Sequence, residues 1–519
     1  MAAFAPLKLR TFRVLWAAAL VSAIGTWMQN IAAAWEMTSL TSSSALVALV
    51  QSATTLPVVL VALPGGALAD IVDRRKLLVA VQAWVLVAAT VISALAFAGQ
   101  MTPGLLLGLT FLLGLGLALW MPAWQAVTPE LVPRAQLPQA VVLSGMSLNV
   151  ARAVGPAIGG VVLAASSSGV VFACNALSCV VAVVAFARWR RTPEAQAVEN
   201  VPPERLREAM RAGSRFVAHS PEMWWVMGRI TAFVLAASAL WALLPVVARH
   251  ELDLGASGYG LLLGCIGAGA VASVPLQAKL RAALGPDRLA VVAALAFTLA
   301  TVVLALAPSV PLVCAALAIG GGGWTATIGV LNTAAQQAVP AWVRARALAI
   351  YLLALQGSLA FGSAGWGFIA QPAGDREALL AAAGALVAGL ILIRALPVGG
   401  IDADRAPWEA WPDPDVDGEV DPQAGPALVV IEYRVPPSDE EAFRAAMGPI
   451  EHFRRRTGAD RWQIWTDPAD PGRWVETYET RTWAEHLRQH QRPTLADQEI
   501  ERAVADYRTS RPAVHLVAP

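Results

Sequence analysis

Charged residues are scarce in this sequence, at 14% of 519 positions, and the mean hydropathy is +0.55. A soluble globular domain typically carries about 25% charged residues, so the composition excludes one soluble domain of this length. Cysteine is also rare. The four cysteines lie in apolar segments, and their spacing supports neither a disulfide framework nor a metal site. There is no basic stripe outside the loops, so nucleic-acid binding has no support.

Long apolar stretches alternate with short polar breaks about twelve times between Phe12 and Leu396. About 20 apolar residues cross a hydrocarbon core of roughly 30 Å. The segment from Leu77 to Ala98, for example, contains no charged residue. The pattern predicts an all-α polytopic membrane protein. Its predicted spans are 12–34, 45–66, 77–98, 104–125, 139–165, 168–188, 223–248, 256–278, 289–307, 311–334, 346–370 and 375–396.

Lysine and arginine are distributed unevenly over the connecting loops. With a cytoplasmic N-terminus, the inner loops and adjoining span ends hold twenty of these residues, and the outer loops hold only Arg249 and Arg376. Cytoplasmic loops of membrane proteins carry this excess of positive charge. The asymmetry predicts an even number of spans, both termini in the cytoplasm, and a multi-pass protein of the cell membrane.

The longest inner loop divides the spans six and six. The predicted domains are an N-terminal six-helix bundle (1–188), a cytoplasmic central loop with a short amphipathic helix (189–222), a C-terminal six-helix bundle (223–396), an acidic proline-rich linker (397–426) and a soluble α+β ferredoxin-like domain (427–519). In the last domain the predicted order is β-α-β-β-α-β. Ser438 and Glu441 are expected to form a capping box at its first helix.

The loop between spans 2 and 3 reads Gly66-Ala67-Leu68-Ala69-Asp70-Ile71-Val72-Asp73-Arg74-Arg75-Lys76. It resembles the signature loop of the major facilitator superfamily. The resemblance implies that Asp70, with Arg74 and Arg75, stabilises one gate of an alternating-access cycle. Ile71 and Asp73 depart from the pattern, where the family usually has a base and a glycine. The alternative is a loop that only directs membrane insertion.

Span 5 contains Gly155-Pro156-Ala157-Ile158-Gly159-Gly160. Proline removes a helix hydrogen bond and glycine allows close helix packing, so Gly155 and Pro156 are candidate gating residues. The motif looks like the one that marks drug and metabolite antiporters of the superfamily; the alternative is an ordinary packing face. Together with the sequences at residues 25–30 and 149–152, this motif resembles the transmembrane secretion effector branch of the superfamily. The resemblance covers about residues 7–396.

Charges inside the membrane are the best guide to a binding site. Arg152 lies about 20 Å along the helix of span 5, so we expect it to face a cavity and an anionic or polar substrate group. A structural arginine satisfied by carbonyls or a nearby acid is the alternative. Arg229 lies about two turns into span 7 and is expected to extend its side chain to the cytoplasmic surface. Glu36, just past span 1, is expected either to pair with Arg152 or exchange protons, or to be solvated.

Polar and aromatic neighbours complete the candidate site. The predicted substrate-binding residues are Arg152, Asn149, Gln29, Asn30, Gln125, Asn332, Gln356 and Trp27. No acidic residue lies deep in any span, so proton coupling is implied by the resemblance rather than by a visible relay. Glu36 and Asp70 are the carboxylates available for it.

The tail after residue 427 resembles small dimeric α/β-barrel proteins such as antibiotic-biosynthesis monooxygenases. His486 and His490 share one helical face, which can bind metal, although solvated helix histidines are the favoured alternative. Aromatic side chains could line a pocket or fill the core, and core filling is favoured: Tyr433, Trp462, Trp465, Trp474 and Tyr478. We expect a dimerisation or regulatory module, with no metal, no cofactor and no catalytic residue.

Together these features predict a secondary transporter that exports a small amphipathic molecule, such as a siderophore, a drug or another natural product. Two alternatives remain open at this stage. One is an importer with the same fold, and the other is a membrane-anchored sensor or enzyme led by the tail.

Overall fold

Long helices dominate the computed structural model, which describes residues 2–190, 206–340, 342–393, 405–406, 408, 420–509 and 512–516. Ten of the described helices are long and apolar enough to cross a membrane. The predicted all-α polytopic fold is therefore confirmed. Most of the linker predicted at 397–426 lies outside the described residues.

Twelve α-helices precede the tail in the described part of the chain. The first six are α1 (Arg10–Leu40), α2 (Ser44–Ile71), α3 (Arg74–Phe97), α4 (Pro103–Val127), α5 (Leu137–Ala165) and α6 (Ser168–Arg188). The others are α7 (Leu206–Ala218), α8 (Pro221–His250), α9 (Ala256–Leu306), α10 (Val310–Gln337), α11 (Arg344–Ala373) and α12 (Asp375–Ile393). Helix α7 lies in the central loop, and every predicted span falls on one of the other eleven.

Helix α9 is 51 residues long because two helices meet within it. Gly285 has a φ of 74°, a left-handed conformation that glycine adopts without steric cost, and Pro286 follows it. The predicted spans 256–278 and 289–307 lie on either side of this point. The twelve predicted spans therefore fall on eleven helices of the described chain.

Helix α1 extends further than its predicted span of 12–34. It runs for 31 residues to Leu40, so Glu36 lies inside the helix rather than past its end. At 1.5 Å per residue such a helix is about 46 Å long, which exceeds the hydrocarbon core. An apolar stretch marks where the membrane ends, but backbone hydrogen bonds carry the helix beyond it.

The membrane helices expose apolar side chains on one side and bury polar ones on the other. Val161 is 70% exposed, and Leu177 is also exposed. Between the helices, by contrast, buried Ser22 donates a hydrogen bond to Gln82 Oε1 at 3.5 Å. Extensive apolar exposure marks a surface that meets lipid, which agrees with the membrane assignment.

The tail forms an α+β domain. Its elements are β1 (Ala427–Arg434), α13 (Glu440–Thr457), β2 (Asp460–Asp467), β3 (Asp470–Thr480), α14 (Trp483–His490), α15 (Leu495–Ala505) and β4 (Ala513–Leu516). The strands form one antiparallel sheet in the order β2-β3-β1-β4. This is the predicted ferredoxin-like arrangement. Alternate residues of β1 (Val429, Ile431 and Tyr433) are buried with Phe443 of α13 in the domain core.

The predicted capping box at α13 is wrong. Asp439 occupies the N-cap position without a side-chain cap bond, and the Ser438 hydroxyl donates to the Asp439 carboxylate instead. A 3-10 turn over Pro437–Asp439 carries Ser438 away from the helix start. A capping box does occur at α15, where Thr494 and Asp497 satisfy each other's backbone N–H groups.

Two compact units divide the chain. The bundle unit comprises Met1–Pro202, Gly228–Leu331 and Leu352–Leu396. The tail unit comprises Pro203–Met227, Asn332–Tyr351 and Pro397–Pro519. The tail domain therefore shares its unit with α7 and with the loop that joins α10 to α11.

Candidate substrate site

Arg152 lies on the side of α5 that faces the interior of the bundle. Successive residues of an α-helix are rotated by about 100°, which places Arg152 on the same side as Gly155 and Gly159. Both glycines are buried, whereas Val161 on the opposite side is 70% exposed. Arg152 itself is exposed. Because its exposure is not on the lipid-facing side, it opens to the interior of the bundle.

Glycines bring α5 into backbone contact with α1. A Cβ atom on Gly155 would lie 2.5 Å from the Trp27 Cβ and 3.1 Å from the Ile24 carbonyl oxygen. A Cβ on Gly159 would lie 3.0 Å from the Met28 Cα. Any larger residue would force the helices apart. The close approach places Trp27 directly beside Arg152.

The guanidinium of Arg152 stacks on the indole of Trp27. The Arg152 Cζ lies 5.3 Å from the ring centroid, a geometry in which the cation is attracted to the ring by about 0.5–2 kcal/mol. Within the described part of the chain, no residue hydrogen-bonds or ion-pairs with this guanidinium. Its N–H groups are therefore available to an anionic or polar group on a solute.

Pro156 alters the backbone at the same point. Helix α5 remains continuous through this proline. Because proline has no N–H group, the carbonyl oxygen four residues earlier, that of Arg152, lacks its usual helical donor. Arg152 thus provides hydrogen-bond donors from its side chain and an acceptor from its backbone.

The interior face of α5 opens toward the predicted cytoplasmic end. Two turns before Arg152, a Cβ on Gly145 would meet nothing within 4 Å. On the same side, one turn further from Arg152, Val141 is also exposed, at 57%. Arg152 therefore lies at the boundary between a packed and an open stretch of this face.

The two halves of the bundle meet at the predicted extracellular end. A Cβ on Gly160 of α5 would lie 2.5 Å from the Gly260 Cα of α9. Trp35 of α1 stacks on Tyr259 of α9 with ring centroids 5.6 Å apart. Hydrogen bonds also join α1 to α8, from Arg249 Nη1 to Thr38 Oγ1 at 3.1 Å, and α2 to α11, from Ser52 Oγ to the Ala360 oxygen at 2.6 Å. Ser43, just before α2, donates from its Oγ to Gln371 Oε1 at 2.7 Å. The outer side is closed.

Gln29 does not share the site around Arg152. It is buried, and Asn175 Nδ2 of α6 donates a hydrogen bond to its Oε1. This bond joins α1 to α6 inside the N-terminal half, so the structure places Gln29 in a structural position.

The remaining polar candidates differ in exposure. Asn30 and Gln356 are half-buried, whereas Gln125 and Asn332 are exposed, and Asn332 belongs to the tail unit. The side chain of Asn149 lies outside the described residues. The geometry therefore groups Arg152 with Trp27 and leaves the other predicted contacts as predictions.

The loop between α2 and α3 is anchored by its arginines. Arg74 Nη1 pairs with Glu130 Oε1 at 2.7 Å, a partner that the sequence analysis missed because it lies after span 4. Arg75 donates to the Ala187 carbonyl oxygen at 2.5 Å. Asp73, where the family usually has glycine, caps α3 by accepting from the Lys76 N–H at 2.9 Å. The side chain of Asp70 lies outside the described residues.

Glu36 and Arg229 have different surroundings from those expected. Glu36 is half-buried and makes no ion pair with Arg152. Arg229 is buried and pairs with Asp287 at 2.7 Å, next to the break in α9. Arg229 thus ends in an ion pair with an acid of the following inner loop, which the sequence did not identify.

The tail core is filled by aromatic and charged side chains. Tyr433, Trp474 and Tyr478 are buried, which confirms core filling, whereas Trp465 is 53% exposed. Beside them, fully buried Arg454 pairs with Glu476 at 3.0 Å and with Glu501 at 3.2 Å. Trp462 Nε1 and the Tyr433 hydroxyl also donate to Glu476. The space between sheet and helices holds a structural charge network.

His486 and His490 are buried rather than solvated. Their rings are 4.7 Å apart, and Trp483 packs on His486. Burial, reinforced by the neighbouring His490, lowers the pKa of His486 to about 4, so it is neutral at pH 7. Among the described residues, no group of three or more His, Cys, Asp or Glu side chains could hold a metal ion.

Within the tail unit, α7 is fastened to the tail domain through Glu485. Arg215 Nη2 of α7 donates to Glu485 Oε1 at 2.6 Å, and its Nη1 donates to the Gly458 carbonyl oxygen at 3.3 Å. Arg492 binds the same carboxylate at 2.7 Å. Burial alone would raise the pKa of Glu485, but hydrogen bonds from Arg492 and Arg215 lower it to about 2.

The loop between α10 and α11 belongs to the same assembly. Trp342 lies under the guanidinium of Arg492, with 4.6 Å from Cζ to the ring centroid. Phe216 of α7 contacts the same ring edge-on at 5.9 Å. A Cβ on Gly213 would lie 2.7 Å from the Arg346 Cβ. The tail domain therefore holds both α7 and the segment leading into α11.

Comparison with known sequences finds secretion and efflux proteins. A family model described as transmembrane secretion effector matches residues 1–518. Macrolide efflux protein A of Streptococcus pyogenes is 24% identical over 242 residues, which cover 47% of this chain and 60% of that protein. The Staphyloferrin A transporter of Staphylococcus aureus is 27% identical over 163 residues, covering 31% and 41%. The chain thus spans less than two thirds of these relatives.

Solved structures resemble the fold. A bacterial homolog of the human lysosomal transporter Spinster aligns with a TM-score of 0.59 and 14% identity, over 76% of this chain and 98% of that one. A D-xylose-proton symporter aligns with a TM-score of 0.58 and 14% identity, over 76% and 99%. At this identity the likeness establishes the architecture alone.

Proposed function

Because the chain belongs to the transmembrane secretion effector family of the major facilitator superfamily, we propose that it exports a small amphipathic molecule by alternating access. The observation that carries this proposal is the stacked pair of Arg152 and Trp27 on the interior face of α5. A cation on an aromatic plane suits a solute that combines an anionic or electron-rich group with a flat apolar part. The relatives named above include a macrolide efflux protein and a Staphyloferrin A transporter, which favours a drug or a siderophore as the class of solute.

The geometry suggests how the cycle begins. The outer ends of the two halves are in contact, and the α5 face below Arg152 is open toward the predicted cytoplasmic end. A solute entering from the cytoplasm would place its acidic group on the guanidinium and its flat part against Trp27. Rocking of the halves would then separate the Gly160–Gly260 contact and expose the solute to the outside.

Protons are the proposed coupling ion, with Glu36 and Asp70 as the carboxylates that would carry them. Glu36 lies in the last two turns of α1, close in sequence to Trp35 and Thr38, which contact the other half. Protonation of a carboxylate at such a junction would change how strongly the halves associate. A pH change inside proteoliposomes on addition of substrate would test this coupling, and its absence in Glu36→Gln would assign it.

The tail is proposed to be a regulatory or dimerisation module rather than an enzyme. Arg454, Glu476 and Glu501 occupy the centre of the domain, where a related fold could have a substrate pocket. The open face of the sheet carries Trp465, Val430 and Val475 and could pair two copies. We further propose residence in the cell membrane with both termini in the cytoplasm.

The deciding experiment is metabolite profiling of cells and medium, with the gene deleted and then restored, in iron-poor and iron-rich media. We expect one compound to accumulate inside the deletion strain and to disappear from its medium. Restoration with the full chain should reverse this, and restoration with Arg152→Ala should not. A compound that stays in the medium and is absent from the cells would instead establish import, and normal export by Arg152→Ala would remove Arg152 from the site.

Deleting the tail distinguishes a transporter from a membrane-anchored sensor or enzyme led by the tail. A chain ending after α12 is expected to retain export with altered rate, since Arg152 and Trp27 lie in the bundle unit. If the membrane part is expressed normally but all activity requires the tail, an enzyme or sensor led by the tail is the better description.

A further inference from the structure

A basic cleft lies within the tail unit, between α7 and the tail domain. Its volume is about 380 Å³, within the range of small-molecule sites. Five arginines and a histidine line it: Arg211, Arg215, His219, Arg455, Arg461 and Arg481. Asp460 is the one carboxylate among its lining residues. The transport site in the bundle unit does not involve any of these groups.

Among the described residues, the acids near the cleft pair with only some of the arginine N–H groups. Arg481 pairs with Asp460 at 2.8 Å and Arg461 with Glu479 at 3.2 Å. Arg455 pairs with Glu451 at 2.8 Å, and Arg215 with Glu485 at 2.6 Å. A guanidinium has five N–H donors, and each of these pairs satisfies one or two of them.

Two further features make the cleft electropositive. Glu485 is shared among Arg215, Arg488 and Arg492, so it does not neutralise Arg215 alone. Arg211 makes no ion pair with any residue that the structure describes. In agreement, burial and then the positive charges of Arg455, His452 and Arg215 lower the pKa of His219, although Glu451 acts in the opposite direction.

We propose that this cleft binds a phosphate-bearing anion, supplied either by an anionic lipid headgroup or by a free phosphorylated solute. The planar fork of arginine matches phosphate oxygens in a bidentate manner. Several arginine guanidinium groups around one open cleft suit a ligand group with at least two negative charges.

The ligand would join α7 to the tail domain. Arg211 and Arg215 come from α7, whereas Arg455, Arg461 and Arg481 come from the tail. Cations on the two sides of a cleft repel each other, and an anion between them converts that repulsion into attraction on both sides. Binding should therefore tighten the attachment of α7 and protect its backbone amides from hydrogen exchange.

The experiment uses the purified full chain in phosphatidylcholine nanodiscs, with inorganic pyrophosphate as the probe and sodium chloride to hold ionic strength constant. Hydrogen exchange of α7 is the readout. We expect pyrophosphate to slow exchange, and Arg211→Gln/Arg455→Gln to weaken its apparent affinity roughly tenfold or more, as expected for the loss of charge-assisted bonds. Arg211→Gln alone should also weaken it, and this variant breaks no described ion pair.

The matched control is Arg444→Gln. Arg444 lies on α13 like Arg455 and makes the same i,i+4 pair, with Glu440 at 2.9 Å, but it does not line the cleft. We expect its affinity for pyrophosphate to equal that of the unmodified chain. The proposed site would be wrong if all the variants bound pyrophosphate equally well, or if Arg444→Gln lost as much affinity as the cleft variants.

A second arm identifies the source of the anion. The same measurement in nanodiscs containing phosphatidylglycerol, without pyrophosphate, asks whether a lipid headgroup suffices. Protection of α7 there that depends on Arg211 and Arg455 assigns a lipid, and protection by pyrophosphate alone assigns a soluble ligand. Protection in neither arm means that the cleft is only a charged surface and that the proposal is wrong. Transport activity does not enter this readout, so failure here leaves the export proposal untouched.

Discussion

Gly160 of α5 and Gly260 of α9 meet backbone to backbone. A Cβ on either glycine would lie 2.5–2.6 Å from the Cα of the other. The contact joins the two halves of the bundle on the predicted extracellular side of Arg152. The two backbones touch directly, so even a single added methyl group at this point would hold the halves further apart.

Gly160→Ala should therefore disturb the closed outer side. The added methyl group overpacks the contact, at a cost of about 1–3 kcal/mol, and shifts the population toward chains open to the outside. We expect slower export with normal expression, measured as efflux from loaded proteoliposomes. Gly264→Ala is the control, since a Cβ at Gly264 meets nothing within 4 Å. Equal efflux by the two variants would show that the contact is not part of the cycle.

The stacked pair at the candidate site predicts a graded series. Arg152→Ala should weaken binding of an anionic substrate by about 1.5–3 kcal/mol, and Arg152→Lys should retain part of that affinity because the charge remains. Trp27→Phe should have a smaller effect than Trp27→Ala, because an aromatic face is preserved. Substrate titration monitored by tryptophan fluorescence would suit the Arg152 variants, and calorimetry the Trp27 variants. An equal affinity for Arg152→Ala and Arg152→Lys would argue against charge recognition.

The ion pair of Arg229 and Asp287 predicts an unequal effect of its two deletions. The Arg229 side chain is 8% exposed and that of Asp287 41%. Removal of Asp287 leaves a buried cation, which typically costs about 3–5 kcal/mol. Removal of Arg229 leaves a carboxylate that water can solvate. Asp287→Ala should therefore lower the thermal stability of the detergent-solubilised protein more than Arg229→Met, and the reverse order would contradict this account.

The pKa of Glu485 predicts the pH range in which the attachment of α7 to the tail domain weakens. Its value in the folded state, about 2, is below the ordinary 4.5, so the carboxylate stabilises the attachment fully above pH 4.5. This stabilisation should disappear as pH falls from about 4.5 toward 2. Glu485→Gln should speed hydrogen exchange in α7 at pH 7 by the loss of about 1–3 kcal/mol.

Glu479→Gln is the matched control for Glu485→Gln. Glu479 also pairs with an arginine of the tail, but Arg461 is 79% exposed, and such surface pairs contribute little. Exchange in α7 should not change in this variant. If both variants exchange alike, the attachment does not depend on Glu485.

The sequence predicted the membrane helices because apolar length is a local property. It placed the spans on either side of Gly285 correctly, although the helix of α9 is nearly continuous through the inner loop. It placed the end of α1 too early, since the apolar stretch ends before the hydrogen bonding does. The order of strands and helices in the tail also follows from the sequence, because strand and turn composition are local properties.

Contacts between residues far apart in the chain could not be predicted from such local patterns. Arg152 could be identified as a charge within an apolar span, but its contact with Trp27 depends on the approach of two helices at Gly155. In the same way, the partners of Arg74 and Arg229 lie in loops that no periodicity connects to them. The bond between Gln29 and Asn175 likewise joins two helices, and no pattern within either helix indicates it.

The bond between Arg215 and Glu485 joins positions 270 residues apart. A ribosome that has just released α7 must still produce six membrane spans and most of the tail before Glu485 emerges. During that interval the arginines of α7 have no carboxylate from the tail to bind. The attachment of α7 to the tail domain is therefore among the last events in the biogenesis of this protein. The bond can form only after the second half of the membrane domain has been synthesised.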